Sequence, residues 1–182
     1  MERDRPKTIT KANLAAWVAG LMTRAEVVAP IEMEAGEIFY VPLSDPAEVR
    51  WEFGNSLQPP KQYALPQTDA IVSIERNGDG HRVTEIAGAP PRILLNVRSC
   101  DVTGLAYLRR VHELDLPDSA VLARIDSLTT ISLACTNPCE LGFCVCCDAG
   151  PFLRGSSDVQ LTDLGDRLLA EPGSERGVTL LE

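Results

Sequence analysis

Hydrophobic residues in the first part of the chain recur at helical spacing. They lie on one face of a segment that begins after Thr10 and ends near Arg24, and they are Leu14, Trp17, Val18 and Leu21. The side-chain oxygen of Thr10 is typical of a helix N-cap. The pattern therefore predicts a helix whose apolar face packs into the core.

Shorter apolar runs follow this segment. The runs at 26–29 and 37–41 are bounded by turn residues and predict strands. The passage 58–66 contains three prolines, which lack a backbone N–H donor, and it therefore favours extended backbone outside a central strand. Segments 70–75 and 82–86 flank the turn sequence Asn-Gly-Asp-Gly at 77–80, which predicts a β-hairpin.

The next part of the chain alternates between strand and helix patterns. The apolar runs 92–97 and 129–134 predict two buried strands. Between them, Asp101 is predicted to cap a helix over 102–114, because its carboxylate can accept from free N–H groups at a helix start. Each predicted strand ends shortly before a cysteine, Cys100 in one case and Cys135 in the other.

The end of the chain continues the alternation. Residues 161–171 are predicted to form a short amphipathic helix, and 177–181 a terminal strand. Because helices interleave with strands, we predict an α/β fold. The expected architecture is a single domain over residues 1–182 with a mixed sheet and flanking helices.

Five of the six cysteines lie within residues 135–147, while Cys100 stands apart. Ligand sites in α/β sheets commonly lie beyond the carboxyl ends of the strands, so we expect Cys100 and the cysteine-rich loop to meet there. Thiolate is the ligand that zinc and iron–sulfur clusters select. The sequence therefore predicts a metal-binding loop at the strand ends.

The residues alone leave three uses of these thiols open. A [4Fe-4S] cluster and a closed zinc site each use four thiolates. Free N–H groups at the start of the helix after Cys100 would stabilise an anionic cluster, which favours iron–sulfur over zinc. The apolar residues expected to exclude water from the cluster are Leu141, Phe143, Val145 and Phe152. The third use is a dithiol redox site at Cys144, Cys146 and Cys147.

Composition narrows the class of protein. The net charge is −9 and the basic residues are dispersed, so we expect no nucleic-acid partner. No apolar signal-peptide core follows the first residues and no run reaches the roughly 18 apolar residues of a membrane helix, so we expect a cytoplasmic protein without a transmembrane segment. Thiols stay reduced in that compartment. His81 and His112 have no partner at ligand or catalytic spacing, and we assign no catalytic residue.

Four segments resemble motifs of one known family. Residues 95–101 are similar to its "GVRPCD" segment, and residues 59–67 to its "PKxFLFPQ" element. Residues 135–151 resemble its cysteine-rich "C…P…CFCTSxGxGP" loop, and 158–181 its "DLxLTxLGD…EKGxxLL" tail. These motifs belong to the beta subunits of soluble NAD(P)-linked sulfhydrogenases and the A subunit of anaerobic sulfite reductase. The resemblance implies an iron–sulfur protein that transfers electrons.

The resemblance also implies ligands. Residue-by-residue transfer gives Cys100, Cys135 and Cys144, while the first cysteine of the family's "CFC" falls at Gly142. We assign Cys139 as the fourth ligand, with Cys146 and Cys147 as alternates. The expected ligand set is Cys100, Cys135, Cys139 and Cys144.

The expected function is that of a [4Fe-4S] electron-transfer subunit, itself non-catalytic. It would relay electrons between a flavin- or nicotinamide-reacting partner and a catalytic subunit of a hydrogenase- or reductase-type complex. Partners would be flavoprotein, ferredoxin-like or hydrogenase or reductase subunits, and the family's C-terminal ferredoxin-like extension is not expected. The alternative is a zinc-stabilised structural adaptor of a multi-subunit complex.

Overall fold

A computed structural model describes residues 5–78, 80–86, 88–153 and 155–182. The strands within this part of the chain are β1 (Lys7–Thr10), β2 (Glu26–Glu32), β3 (Ile38–Pro42), β4 (Val72–Asn77), β5 (Gly80–Glu85), β6 (Arg92–Arg98), β7 (Leu128–Leu133), β8 (Val159–Asp163) and β9 (Arg167–Pro172). The helices are α1 (Leu14–Met22), α2 (Ser99–His112), α3 (Ser119–Ser127) and α4 (Glu175–Leu181). This order confirms the predicted α/β fold.

A mixed sheet of seven strands organises the described chain, in the order β1-β9-β8-β7-β6-β2-β3. The pairs β2–β6, β6–β7 and β7–β8 are parallel, whereas β3, β9 and β1 join antiparallel. In the parallel register Arg98 lies beside Leu133, and Leu133 beside Leu161. The strands β6 and β7 therefore end together, and both the start of α2 and the cysteine-rich loop leave the sheet at this edge.

Both faces of the sheet are covered. The helix α1 packs on one face, against a cluster that includes Ile93 and Leu95. The helix α2 packs on the other face, against Leu94 and Val97. Strand β6 is buried on both faces, which explains its nearly continuous apolar sequence.

A β-bulge at Asn96 interrupts the regular alternation of β6. The register with β7 shifts between Leu95 and Val97, and Asn96 has a φ of 56°. Asparagine tolerates this left-handed conformation better than most residues. The inserted residue places Val97 on the α2 face with Leu94, and turns Arg98 to the face on which Leu133 lies.

Hydrogen bonds hold Asn96, which is 2% exposed. Its amide nitrogen donates to the carbonyls of Arg50 (2.9 Å) and Trp51 (3.1 Å). Its own carbonyl accepts from the buried Tyr40 hydroxyl at 2.8 Å. Hydrogen bonds thus connect the bulge to the segment at Arg50 and Trp51.

Two predicted elements near the end of the chain are wrong. Residues 161–171 form the hairpin β8–β9 and not a helix, with the turn made by Gly165 at a φ of 99° and by the Asp163 carboxylate, which accepts from the Gly165 N–H. Residues 177–181 belong to α4 and not to a strand. The Ser174 hydroxyl caps α4, and Gly177 lets the helix lie against the Asp158 carbonyl, because a Cβ there would come within 1.7 Å of that oxygen.

Other elements differ in smaller ways. The first predicted helix is a 3-10 turn followed by α1, and within 58–66 the chain forms a 3-10 turn at Pro60–Tyr63. Asp101 is not the cap of α2, because the helix begins at Ser99 and places Asp101 in its first turn. The strand β1 and the helix α3 were not predicted.

The predicted hairpin is confirmed as β4–β5, a separate two-stranded sheet with almost entirely exposed side chains. Asp79 of the predicted turn lies outside the described residues. No helix in the described part of the chain is long and apolar enough to cross a membrane.

Replacing Asn96 should test the bulge. We expect N96A to lower the free energy of unfolding by about 1–3 kcal/mol, because two carbonyls lose their donor and alanine disfavours the left-handed conformation. N96G should lose less, because glycine adopts that conformation freely. Urea denaturation of both variants measures the difference, and wild-type midpoints for both would contradict this account.

Candidate metal centre

All six cysteines are free thiols. They belong to α2 and to the cysteine-rich loop, the segments that follow the carboxyl ends of β6 and β7. Cys100 is the second residue of α2, directly after β6, and Cys135 follows β7. A 3-10 turn at Cys144–Cys147 carries three further cysteines. Cys135, Cys139 and Cys144 are half-buried, whereas Cys100, Cys146 and Cys147 are exposed. The structure therefore places Cys100 and Cys135 just beyond the ends of two neighbouring parallel strands, as the sequence predicted.

One carbonyl, that of Pro151, joins the two ends of the cysteine-rich loop to the start of α2. The backbone N–H of Cys135 donates to it at 3.1 Å, and the Ser99 hydroxyl donates to it at 2.6 Å. Ser99 is 2% exposed, so this second hydrogen bond is shielded from water. The residue before Cys100 is thereby bonded to the residue that closes the loop.

Gly150 brings Cys144 close to the same point. Its φ is 148°, a conformation that side chains rarely adopt. A Cβ at this position would lie 3.1 Å from the Ser99 Cβ and 3.9 Å from the Cys144 Cβ. The backbone of Gly150 therefore sits between the first turn of α2 and Cys144, where a larger residue would push them apart.

Arg98 contacts the loop directly. Its Nη1 donates to the Sγ of Cys135 at 3.1 Å, and its Nη2 donates to the Phe53 carbonyl. The guanidinium carbon lies 4.7 Å from the centroid of the Phe53 ring. The Nε is buried and has no hydrogen-bond partner among the described residues. These contacts fix a positive group beside a candidate ligand.

Cys139 contacts a side chain outside the cysteine-rich loop. Its Sγ donates to the Asn55 side-chain oxygen at 2.9 Å. The chain then turns sharply, because the Gly142 N–H donates to the Cys139 carbonyl at 2.9 Å. A Cβ at Gly142 would come within 3.0 Å of that carbonyl, so this turn disfavours the cysteine that the resembling family carries there.

The electrostatics around α2 favour protonated groups in the free protein. Desolvation raises the pKa of the Cys100 thiol, the Asp101 carboxylate raises it further, and Arg98 opposes both effects. Burial raises the pKa of Asp101 to about 6 against the opposing charges of Arg98 and Lys61. Cys100 must therefore lose a proton before it can bind a metal as thiolate.

The expected apolar shell around the cysteines is wrong. Leu141 is 90% exposed, Phe143 72% and Val145 70%, and Phe152 is also exposed. These side chains are accessible to solvent in the described structure. They form an apolar surface beside the thiols and do not shield them from water.

The residue types fit a thiolate-bound metal group, because the free thiols Cys100 and Cys135 follow neighbouring strands and a half-buried cationic donor, Arg98, contacts one of them. Within the described residues, no group of three or more His, Cys, Asp or Glu side chains is arranged to hold a metal ion. The ligand set inferred from the sequence thus stays a prediction. The sequence did not indicate the contacts of Phe53, Asn55 and Ser99, although the Cys-rich loop and the Gly-Pro step at 150–151 mark the segments they meet.

Comparison with known proteins agrees with the resemblance inferred from the motifs. The chain is similar to sulfhydrogenase 2 subunit beta of Pyrococcus furiosus, with 29% identity over 131 residues. The aligned part is 71% of this chain and 37% of that subunit's length. No family model and no solved structure matches the chain.

Substituting Gly150 should loosen the closure of the loop. We expect G150A to accelerate amide exchange at Cys135 about fivefold or more, because a local destabilisation of about 1 kcal/mol changes the open population by that factor. The control is G20A, at an exposed position on α1 where a Cβ meets nothing within 4 Å. Hydrogen exchange followed by NMR would contradict the closure if both variants matched the wild type.

Proposed function

We propose that this protein is an iron–sulfur electron-transfer subunit of a hydrogenase- or reductase-type complex. The observation that carries the proposal is that the Pro151 carbonyl joins the cysteine-rich loop to Ser99, the residue before Cys100, beyond the ends of the parallel strands β6 and β7. The similarity to a sulfhydrogenase beta subunit supports it. In this role the protein would relay electrons between a flavin- or nicotinamide-reacting subunit and a catalytic subunit.

The proposed ligands of one [4Fe-4S] cluster are Cys100, Cys135, Cys139 and Cys144. When bound, such a cluster takes up and releases single electrons. Cys100 lies in the first turn of α2, where free backbone N–H groups stabilise negative charge. In addition to these N–H groups near Cys100, the Arg98 guanidinium donates a hydrogen bond to the Cys135 sulfur. Cys139 would exchange its hydrogen bond to Asn55 for the metal.

The exposure of this edge supports a relay that works through a partner. Cys100 is exposed, and the adjacent loop presents Leu141, Phe143 and Val145 to solvent. Large exposed apolar residues grouped on one surface loop are a common feature of a protein–protein contact. We infer that a partner subunit covers this loop and thereby shields the cluster from water.

Zinc is the second candidate, because four thiolates also form a closed zinc site. A zinc site would make the protein a structural adaptor of its complex. Metal identity separates the two functions, since only the iron–sulfur form carries an electron.

Anaerobic reconstitution tests the proposed function. We expect about four iron and four sulfide per chain, because a [4Fe-4S] core has that composition, together with an EPR signal after reduction with dithionite. Metal analysis of the protein purified anaerobically from cells is the companion measurement. Stoichiometric zinc without iron or sulfide would contradict the relay and favour the adaptor.

Single cysteine replacements test the ligand set. C100S, C135S, C139S and C144S should each lose most of the bound iron, because each removes one ligand. C146S and C147S are the matched controls, since these thiols lie exposed on the same loop. We expect both to keep wild-type iron content in reconstituted protein. Iron loss in C146S or C147S with retention in C139S would replace Cys139 as the fourth ligand.

A further inference from the structure

We propose that Arg98 is a positioning residue that raises the reduction potential of the cluster through its hydrogen bond to the Cys135 sulfur. This inference rests on the proposed function and concerns how the chain's own residues set the property that a relay needs. Hydrogen bonds to ligand sulfurs are among the factors that determine iron–sulfur potentials.

The geometry of the contact suits this role. The Nη1 of Arg98 lies 3.1 Å from the Sγ of Cys135. In the free thiol the same sulfur donates to the Asn137 carbonyl at 3.2 Å. As a metal-bound thiolate the sulfur has no proton and acts only as an acceptor. The hydrogen bond that the sulfur donates to Asn137 is then lost, whereas the one that it accepts from Arg98 remains and becomes charge-assisted.

Arg98 is also held in place before any ligand binds. Its Nη2 donates to the Phe53 carbonyl, and its guanidinium stacks on the Phe53 ring. The bulge at Asn96 turns the side chain to the face of the sheet on which Leu133 lies. Because the donor is fixed in advance, little reorganisation is needed when negative charge arrives.

Arg98 is partly buried, and the groups that its guanidinium touches carry no charge. The hydrogen bonds and the stacking contact described for its guanidinium are to uncharged groups, a thiol, a carbonyl and a ring, and its buried Nε has no partner among the described residues. A partly buried cation gains from a nearby negative charge, because it has given up part of its hydration. Asp101 supplies one such charge nearby, and a thiolate cluster at Cys135 would add a second at hydrogen-bond distance.

The sign of the effect follows from the electron count. Dithionite supplies one electron, so the summed charge of the four-iron core and its four thiolates becomes more negative by one unit. Arg98 therefore stabilises the reduced form more than the oxidised form. Removing it should lower the potential, and we expect at least a tenfold fall in the ratio of reduced to oxidised cluster, which corresponds to about 59 mV for one electron.

Redox titration of reconstituted protein, monitored by EPR, measures this ratio. R98Q should keep the iron content of the wild type and titrate at a lower potential. R98K keeps the charge, but its ammonium group cannot bond the Cys135 sulfur and the Phe53 carbonyl together as the planar guanidinium does. Its reduction potential should therefore fall between those of the wild type and R98Q. The control R110Q removes the same charge at an exposed position of α2, about 18 Å further along the helix, and should change the ratio less than twofold.

The outcomes separate this inference from the proposed function. R98Q with full iron and a wild-type potential would overturn the role of Arg98 and leave the relay intact. If R98Q does not retain iron, a wild-type reduction potential in R98K would also overturn the role of Arg98 and leave the relay intact. Loss of iron from both variants would overturn that role too, because Arg98 would then be needed only for the structure of the site. A wild-type protein that binds no iron would overturn the proposed function, and this inference with it.

Discussion

The candidate site depends on one inserted residue in strand β6. Side chains on a regular strand alternate between the two faces, so an insertion reverses the face of every residue that follows. Asn96 is that insertion, and it turns Arg98 towards Cys135 while Val97 stays in the core beneath α2. The left-handed backbone of Asn96 is held by amide contacts to the segment at Arg50. A local distortion of the sheet thus selects which side chain meets the cysteine-rich loop.

The sequence predicted the part of the fold that rests on strong local patterns. The strand before Cys100 and the strand before Cys135 were both predicted, and their parallel pairing brings the two cysteines to one edge as expected. The hairpin β8–β9 was mistaken for a helix because Leu161 and Leu168 also suit helical spacing. Gly165, the turn residue between them, was the local signal against a helix.

The contacts within the site could not be predicted, because they join residues far apart in the sequence. Arg98 meets Phe53, and Cys139 meets Asn55 across 84 positions. Neither contact produces a periodic pattern of hydrophobic and polar residues in the sequence, which is the signal that sequence analysis uses. The exposure of Phe143 was mispredicted for a related reason: an apolar residue beside cysteines suits either a shell within one chain or a contact with another. Only the packing of neighbouring elements distinguishes the two.

Because both hydrogen bonds at the ends of the cysteine-rich loop are accepted by the Pro151 carbonyl, the loop tolerates substitutions differently at its ends and in its interior. The ends of the loop are secured by the Cys135 N–H and the Ser99 hydroxyl, whereas the Cys139 side chain in its interior bonds to Asn55, which lies outside the strands. A substitution between the two ends therefore leaves both hydrogen bonds to the Pro151 carbonyl in place, whereas a substitution of Ser99 by alanine removes one of them. The residues of the loop interior can thus change without loss of the bonds that attach the loop to the start of α2.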